Sequence, residues 1–189
     1  ATGDSSTGTQ QNFHQLKLYT STTVSPKFGT GMMTVPTGGD QYISTADSDD
    51  WNCDGNFAID FWMNHRSLVS SGNIVLQFED TNNYNHFSLS GTTDVEWKVR
   101  TGGANHWAQA SSSLGLSAGT WYHVALVRSG SNIYAYVAGN QVFTSAVSNG
   151  DPANIAGTLK IGGDISAAAA GEMDGWIDEF RWSNSDRGW

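Results

Sequence analysis

Beyond residue 12 this chain sustains no apolar stripe at helical spacing. It is a succession of short apolar or alternating runs, each closed by Gly, Ser, Asn or Asp. A run of period two buries one side of a strand, so a chain made of such runs must close its apolar faces against one another. The pattern predicts an all-β, two-sheet antiparallel sandwich. Expected strands are Gln15–Tyr19, Met32–Val35, Tyr42–Thr45, Phe57–Met63, Ile74–Phe78, His86–Leu89, Glu96–Thr101, Trp107–Ala110, Tyr122–Arg128, Ile133–Ala138, Gln141–Thr144, Leu159–Ile161 and Trp176–Trp182. Gly139-Asn140 marks a hairpin turn, because both residues accept positive φ at low cost. Leu114 to Ala118 reads as a short helical turn, and Ala167–Ala170, between Gly163 and Gly171, as a loop. Phe57, Ile59, Phe61, Tyr122, Val124, Leu126, Ile133 and Val137 are expected to share one core.

A length of 189 residues suits one large β-domain. Residues 1–12 are polar and aperiodic, so they read as an N-terminal arm ahead of a single domain over 13–189. Only nine Lys and Arg stand against a net charge of -9, which argues against nucleic acid as a partner, since phosphate contacts need a basic face. The one cysteine, Cys53, excludes an internal disulfide and reads as a small buried hydrophobe. No apolar run approaches the roughly twenty residues that span a bilayer, so membrane insertion is not expected.

Six segments then define a resemblance. They are Gly39-Asp40-Gln41-Tyr42, Asp50-Trp51-Asn52, Phe57 to Trp62, Trp121 to Arg128, Ile133 to Gly139 and Gly175 to Arg181. In this order, over roughly residues 27–187, they resemble the laminin-G-like, concanavalin A-like jelly-roll domains, in a version found in bacteriophage virion proteins. The resemblance implies a jelly-roll fold and a non-enzymatic, lectin-like module of a virion, decorating the particle or serving as an appendage for assembly or host adhesion. Its partners would be virion or oligomer subunits, and its place a virion surface or the extracellular space. On that reading, deleting the arm should leave the domain folded and weaken incorporation into the particle. The alternative is a lectin that recognises a host or environmental glycan. Fold alone does not choose between them.

Three chemistries can be examined residue by residue. A retaining glycanase needs two carboxylates about 5 Å apart on one face. Asp94-Val95-Glu96-Trp97 and Glu172-Met173-Asp174 come nearest, and each lacks the third carboxylate of the jelly-roll hydrolases, so no catalysis is expected. Carbohydrate binding needs an aromatic platform beside polar groups. Trp97, Arg100, Asn105, His106 and Trp107, with Asn83 and Tyr84 on a neighbouring stretch, supply those types, unless the two tryptophans fill the core. A structural calcium ion is the third. Strict alternation places Asp178 on the face of Trp176, Phe180 and Trp182, where a carboxylate must be neutralised or hydrogen-bonded. The resemblance implies that Asp178 holds calcium, with Asp40 and Asp174 as candidate partners. Backbone donors to Asp178, or an Arg181–Glu179 pair, are the other reading.

Overall fold

The computed structural model describes residues 24–35, 42–67, 71–90, 94–111, 114–163 and 173–188. Twelve strands run through them: β1 (Met33–Val35), β2 (Ile43–Thr45), β3 (Phe57–His65), β4 (Ser71–Asp80), β5 (Asn83–Ser90), β6 (Asp94–Thr101), β7 (Ala104–Ser111), β8 (Trp121–Ser129), β9 (Asn132–Val137), β10 (Asn140–Ala146), β11 (Thr158–Ile161) and β12 (Gly175–Ser183). The first sheet has the order β1-β12-β3-β8-β9-β10, and the second β2-β11-β4-β5-β6-β7. Every pairing is antiparallel. This is the two-sheet sandwich that the alternating runs predict, with the jelly-roll architecture that the resemblance implies.

Each expected strand from Met32–Val35 onward overlaps an observed one. Gln15–Tyr19, the arm 1–12 and Ala167–Ala170 lie outside the described residues. Leu114 to Ala118 forms no helical turn; it runs without regular structure into a turn at Ala118-Gly119. Among the described residues, helical geometry is confined to the 3-10 turn Asp49–Trp51, whose N-cap Ser48 accepts from the Asp50 amide. The β9–β10 hairpin turns one residue earlier than expected. Ala138 and Gly139 take the left-handed conformation, at φ 52° and 81°, and Asn140 already pairs with Val137.

β6 shows why these residues make strands. Val95, Trp97, Val99 and Thr101 are buried while Asp94, Glu96, Lys98 and Arg100 face outward, a strict two-residue alternation over a half-buried sheet. β3 is buried along almost its whole length because β12 and β8 flank it in the sheet centre and the segment around Phe28 lies against Trp62 on its outer side. Phe57, Ile59, Phe61, Val124, Leu126, Ile133 and Val137 are buried in one cluster with Val95, Trp97 and Leu159 of the opposite sheet. Tyr122 packs at its margin, with its hydroxyl accepting from the Ser117 amide. Full burial of each large apolar side chain stabilises by about 1.5–3 kcal/mol.

β12 departs from strict alternation. Asp178 pairs with Trp62 and Arg181 with Asp60, so two residues of β12, Glu179 and Phe180, oppose the single Phe61 of β3, and Glu179 sits at φ 51°. This bulge reverses the phase of the strand. Trp176 and Asp178 stay on the outer side, whereas Phe180 and Trp182 swing inward to stack on Phe61 and Phe57. Asp178 therefore does not share a face with three aromatics.

His65 closes β3, in phase with Phe61 and Met63. It is fully buried and neither ring nitrogen has a hydrogen-bond partner. Burial pushes its pKa down to about 4, against the opposing pull of the Asp174 carboxylate. The unfolded chain, with an ordinary value near 6.5, therefore binds the extra proton across the window between. The contribution is fully present above about pH 6.5 and is lost as pH falls toward 4, a change on the order of 3 kcal/mol. Replacing His65 with Leu should flatten this part of the acid limb in urea-denaturation profiles; parallel profiles for variant and wild type would contradict it.

Candidate functional site

The seven residues expected to form a sugar site divide between the two sides of the second sheet. Trp97 is completely buried; its indole N–H donates to the Asn85 amide oxygen at 3.0 Å and its ring meets Trp107 edge-on at 5.2 Å. Trp107 is 2% exposed. Neither ring offers a face to a ligand, so the tryptophan platform is replaced by core packing. His106 also turns inward, because the β6–β7 register slips between Val99 and Arg100 and leaves His106 beside Trp107 on the buried side. Its Nδ1 lies 2.9 Å from the Gly150 carbonyl and its Nε2 2.7 Å from the Thr101 hydroxyl, which ties β6 and β7 to the 150–153 loop. Asn83 belongs to a pair of knitted hairpin ends: its side-chain oxygen accepts from the Gly102 amide, and the Asn82 carbonyl accepts from the Gly103 amide.

Tyr84, Arg100 and Asn105 do come together, on the outer face. Phe78, Tyr84, Arg100 and Asn105 form one cross-strand row over β4, β5, β6 and β7, and Lys160, Leu76, His86 and Lys98 form the next. Cross-strand neighbours of this kind sit close enough for their side chains to meet. The Phe78 and Tyr84 rings are stacked at 6.4 Å, and the His86 ring follows at 5.5 Å. Leu76, Phe78, Thr81, Tyr84 and His86 line an open hollow of about 250 Å³. Lys98 Nζ lies 5.5 Å from the Tyr84 ring centroid, and Lys160 Nζ 4.6 Å from that of Tyr42. His86 Nε2 contacts Glu96 Oε1 at 3.1 Å; burial lowers the pKa of this imidazole, only partly countered by the carboxylate. The result is an apolar, aromatic floor with polar and charged walls.

Leu76, Phe78, Thr81, His86 and Lys98 were absent from the sequence expectation. The signal was present in β5: Asn85, Phe87 and Leu89 share the buried parity, which sends Tyr84 and His86 outward.

The expected calcium site is not supported. Among the described residues no group of three or more His, Cys, Asp or Glu side chains is placed to hold a metal ion. Asp178 is 8% exposed and its carboxylate accepts from two backbone amides, Phe28 at 3.0 Å and Glu179 at 2.9 Å. Asp174 is likewise engaged, by Arg66 at 2.5 Å and the Ser67 hydroxyl at 2.7 Å. Asp40 lies outside the described residues. Arg181 pairs with Asp60 rather than with Glu179. Cys53 is buried, and its thiol pKa is pushed up to about 12 by that burial, leaving it unreactive.

With sandwich and outer face defined, the chain belongs to the concanavalin A-like lectin/glucanase superfamily, whose family model matches residues 37–188. Among solved structures it is similar to the binding domain of botulinum neurotoxin serotype D, at 13% identity and a TM-score of 0.62 over 80% of this chain and 39% of that one. It is also similar to the binding domain of Paraclostridial mosquitocidal protein 1, at 12% identity and TM-score 0.67 over 89% of this chain and 44% of that one. A third is botulinum neurotoxin type C, which enters cells through an interaction with two ganglioside molecules, at 11% identity and TM-score 0.59 over 79% and 38%. At these identities the likeness establishes the fold, and the chain spans about two fifths of the length of each. No curated protein matches the sequence. Among the described residues no helix is long and apolar enough to cross a membrane.

Because two amide donors converge on Asp178, Asp178→Ala should lower the unfolding free energy by about 1.5–3 kcal/mol, read from chemical denaturation. An unchanged midpoint would show that the Phe28 segment is held some other way.

Proposed function

We propose that this domain is a non-enzymatic, lectin-like module that binds a saccharide on the outer face of its second sheet. The observation that carries this reading is the Phe78, Tyr84 and His86 aromatic cluster lining the hollow, with Arg100 and Asn105 continuing the row of Tyr84 and Lys98 that of His86. A pyranose presents C–H groups on one face and hydroxyls at its edge. An aromatic floor with a polar rim matches both. Aromatic rings on adjacent strands hold this surface without a loop having to order on binding, so little conformational entropy is lost.

Membership of a lectin and glucanase superfamily is consistent with the reading, and so is the ganglioside interaction of a structural neighbour. The similar structures named above are toxin binding domains rather than virion proteins, which favours glycan recognition over particle decoration. Catalysis finds little support on this face. Glu96 is held by His86, and Asp94 lies two residues along the same strand with no third carboxylate in the run.

A glycan array followed by calorimetry on the best hits tests the proposal. Tyr84→Ala should weaken binding at least tenfold while leaving the melting temperature near that of wild type, because Tyr84 is an outward-facing residue. Undiminished binding by that variant, or an array without hits, would remove the basis for placing a sugar here. Incubation with neutral and acidic polysaccharides should release no new reducing ends; release abolished by Glu96→Gln would overturn the non-enzymatic part.

A further inference from the structure

Building on that saccharide-binding reading, we infer that the ligand of this face is an acidic sugar, one that carries a carboxylate. The chain has a net charge of -9, so its long-range field disfavours anions and any cation left unneutralised is a local exception. Four of its five arginines contact a carboxylate within the fold. Arg66 contacts Asp174, Arg128 contacts Asp151, and Arg181 and Arg187 both contact Asp60. Arg100 is the exception. It forms no ion pair among the described residues, its Nε has no hydrogen-bond partner, and its Nη1 makes one long contact of 3.4 Å to the Asn105 side-chain oxygen.

Lys98 stands two residues away on the same face of β6, about 7 Å along the strand, and it too makes no ion pair among the described residues. The nearby acids are held by neutral donors rather than by Arg100 or Lys98 and keep their charge. Glu96 contacts His86, Asp80 accepts from the Asn82 amide and the Asn83 side chain, and Glu79 accepts from the Ala156 amide. The aromatic hollow thus has two cations beside it, Arg100 opposite Tyr84 in register and Lys98 over the Tyr84 ring, with Glu96 at its His86 end.

A guanidinium presents a planar fork of donors that fits a carboxylate with two parallel hydrogen bonds, and the charge roughly doubles the strength of each. A neutral sugar would leave Arg100 and Lys98 without an anionic partner. A uronic or sialic unit would stack its ring on Tyr84 and set its carboxylate between the two cations. Solvent-exposed ion pairs alone are weak, so the stacked ring supplies most of the affinity and the cations supply the choice between acidic and neutral sugars.

The probes are an oligogalacturonide and its methyl ester, in which each carboxylate is capped as a neutral ester, 3′-sialyllactose against lactose, and a sulfated carrageenan oligosaccharide. Titration calorimetry on the full chain should show the acid bound at least tenfold more tightly than its neutral counterpart in at least one pair, with affinity falling as salt is raised. Arg100→Gln, and to a lesser degree Lys98→Gln, should erase that preference without shifting the melting temperature, while Tyr84→Ala removes binding of acid and neutral forms together. Equal binding of both members in each pair, abolished by Tyr84→Ala, would overturn the acidic-sugar inference and leave the saccharide site standing. Preference for the sulfated probe over both carboxylates would overturn it as well. Failure of every saccharide to bind would take down the site and the inference together.

Discussion

The two sheets are locked together at Phe57. Its ring stacks on Trp182 of its own sheet at 5.5 Å and 19°, meets Trp97 of the opposite sheet edge-on at 5.8 Å, and lies 6.3 Å from Trp107. Trp97 and Trp107 are themselves in T-shaped contact. Such pairs add about 0.5–1.5 kcal/mol each beyond their buried area, and their preference for offset or edge geometry fixes how the layers sit. Two tryptophans of the second sheet are therefore unavailable to ligands because they hold that sheet to the first. On the second sheet the aromatic rings turned away from the core are of the opposite parity, and Tyr84, His86 and Phe78 are among them.

Two of the places where the strands leave regular register have consequences for chemistry. The bulge at Glu179 lets β12 send Phe180 and Trp182 to the core after presenting Trp176 and Asp178 outward. Asp178 then becomes the anchor for the Phe28 amide, 150 residues away in sequence, and needs no cation because two amides converge on it. The slip between Val99 and Arg100 buries His106 next to Trp107 and brings Asn105 opposite Arg100. A one-residue register change thus converts a candidate ligand-binding histidine into a structural tie and sets one contact of the outer face.

Charge is distributed on the same principle. Asp60, completely buried on β3, is surrounded by Arg181, Arg187 and His123, and Asp174 by Arg66 and Ser67. A buried carboxylate is tolerated only when partners of this kind compensate its desolvation. Those pairs leave few cations for other uses on an acidic chain. Arg100 and Lys98 stand apart from them, beside an aromatic hollow on a sheet face rather than within a structural ion pair.

The amino-acid sequence by itself determined the all-β class, the placement of twelve strands and most of the core, because period-two patterning and turn residues act locally and their physical meaning needs no partner. In β6 the alternation of Val95, Trp97 and Val99 marks one face, but whether Trp97 fills the core or meets a ligand was decided only by the opposite sheet. The tertiary structure decided the rest. Bulges in β12 and between β6 and β7 arise from pairing between strands, and they moved Phe180, Trp182 and His106 to faces that simple alternation does not assign. Which carboxylates are neutralised, and which cations are left over, depends on residues distant in sequence, as Asp60 with Arg181 and Arg66 with Asp174 show. The candidate site has the same origin: Phe78, Tyr84, Arg100 and Asn105 lie on four strands, and only the register of those strands brings them into one row.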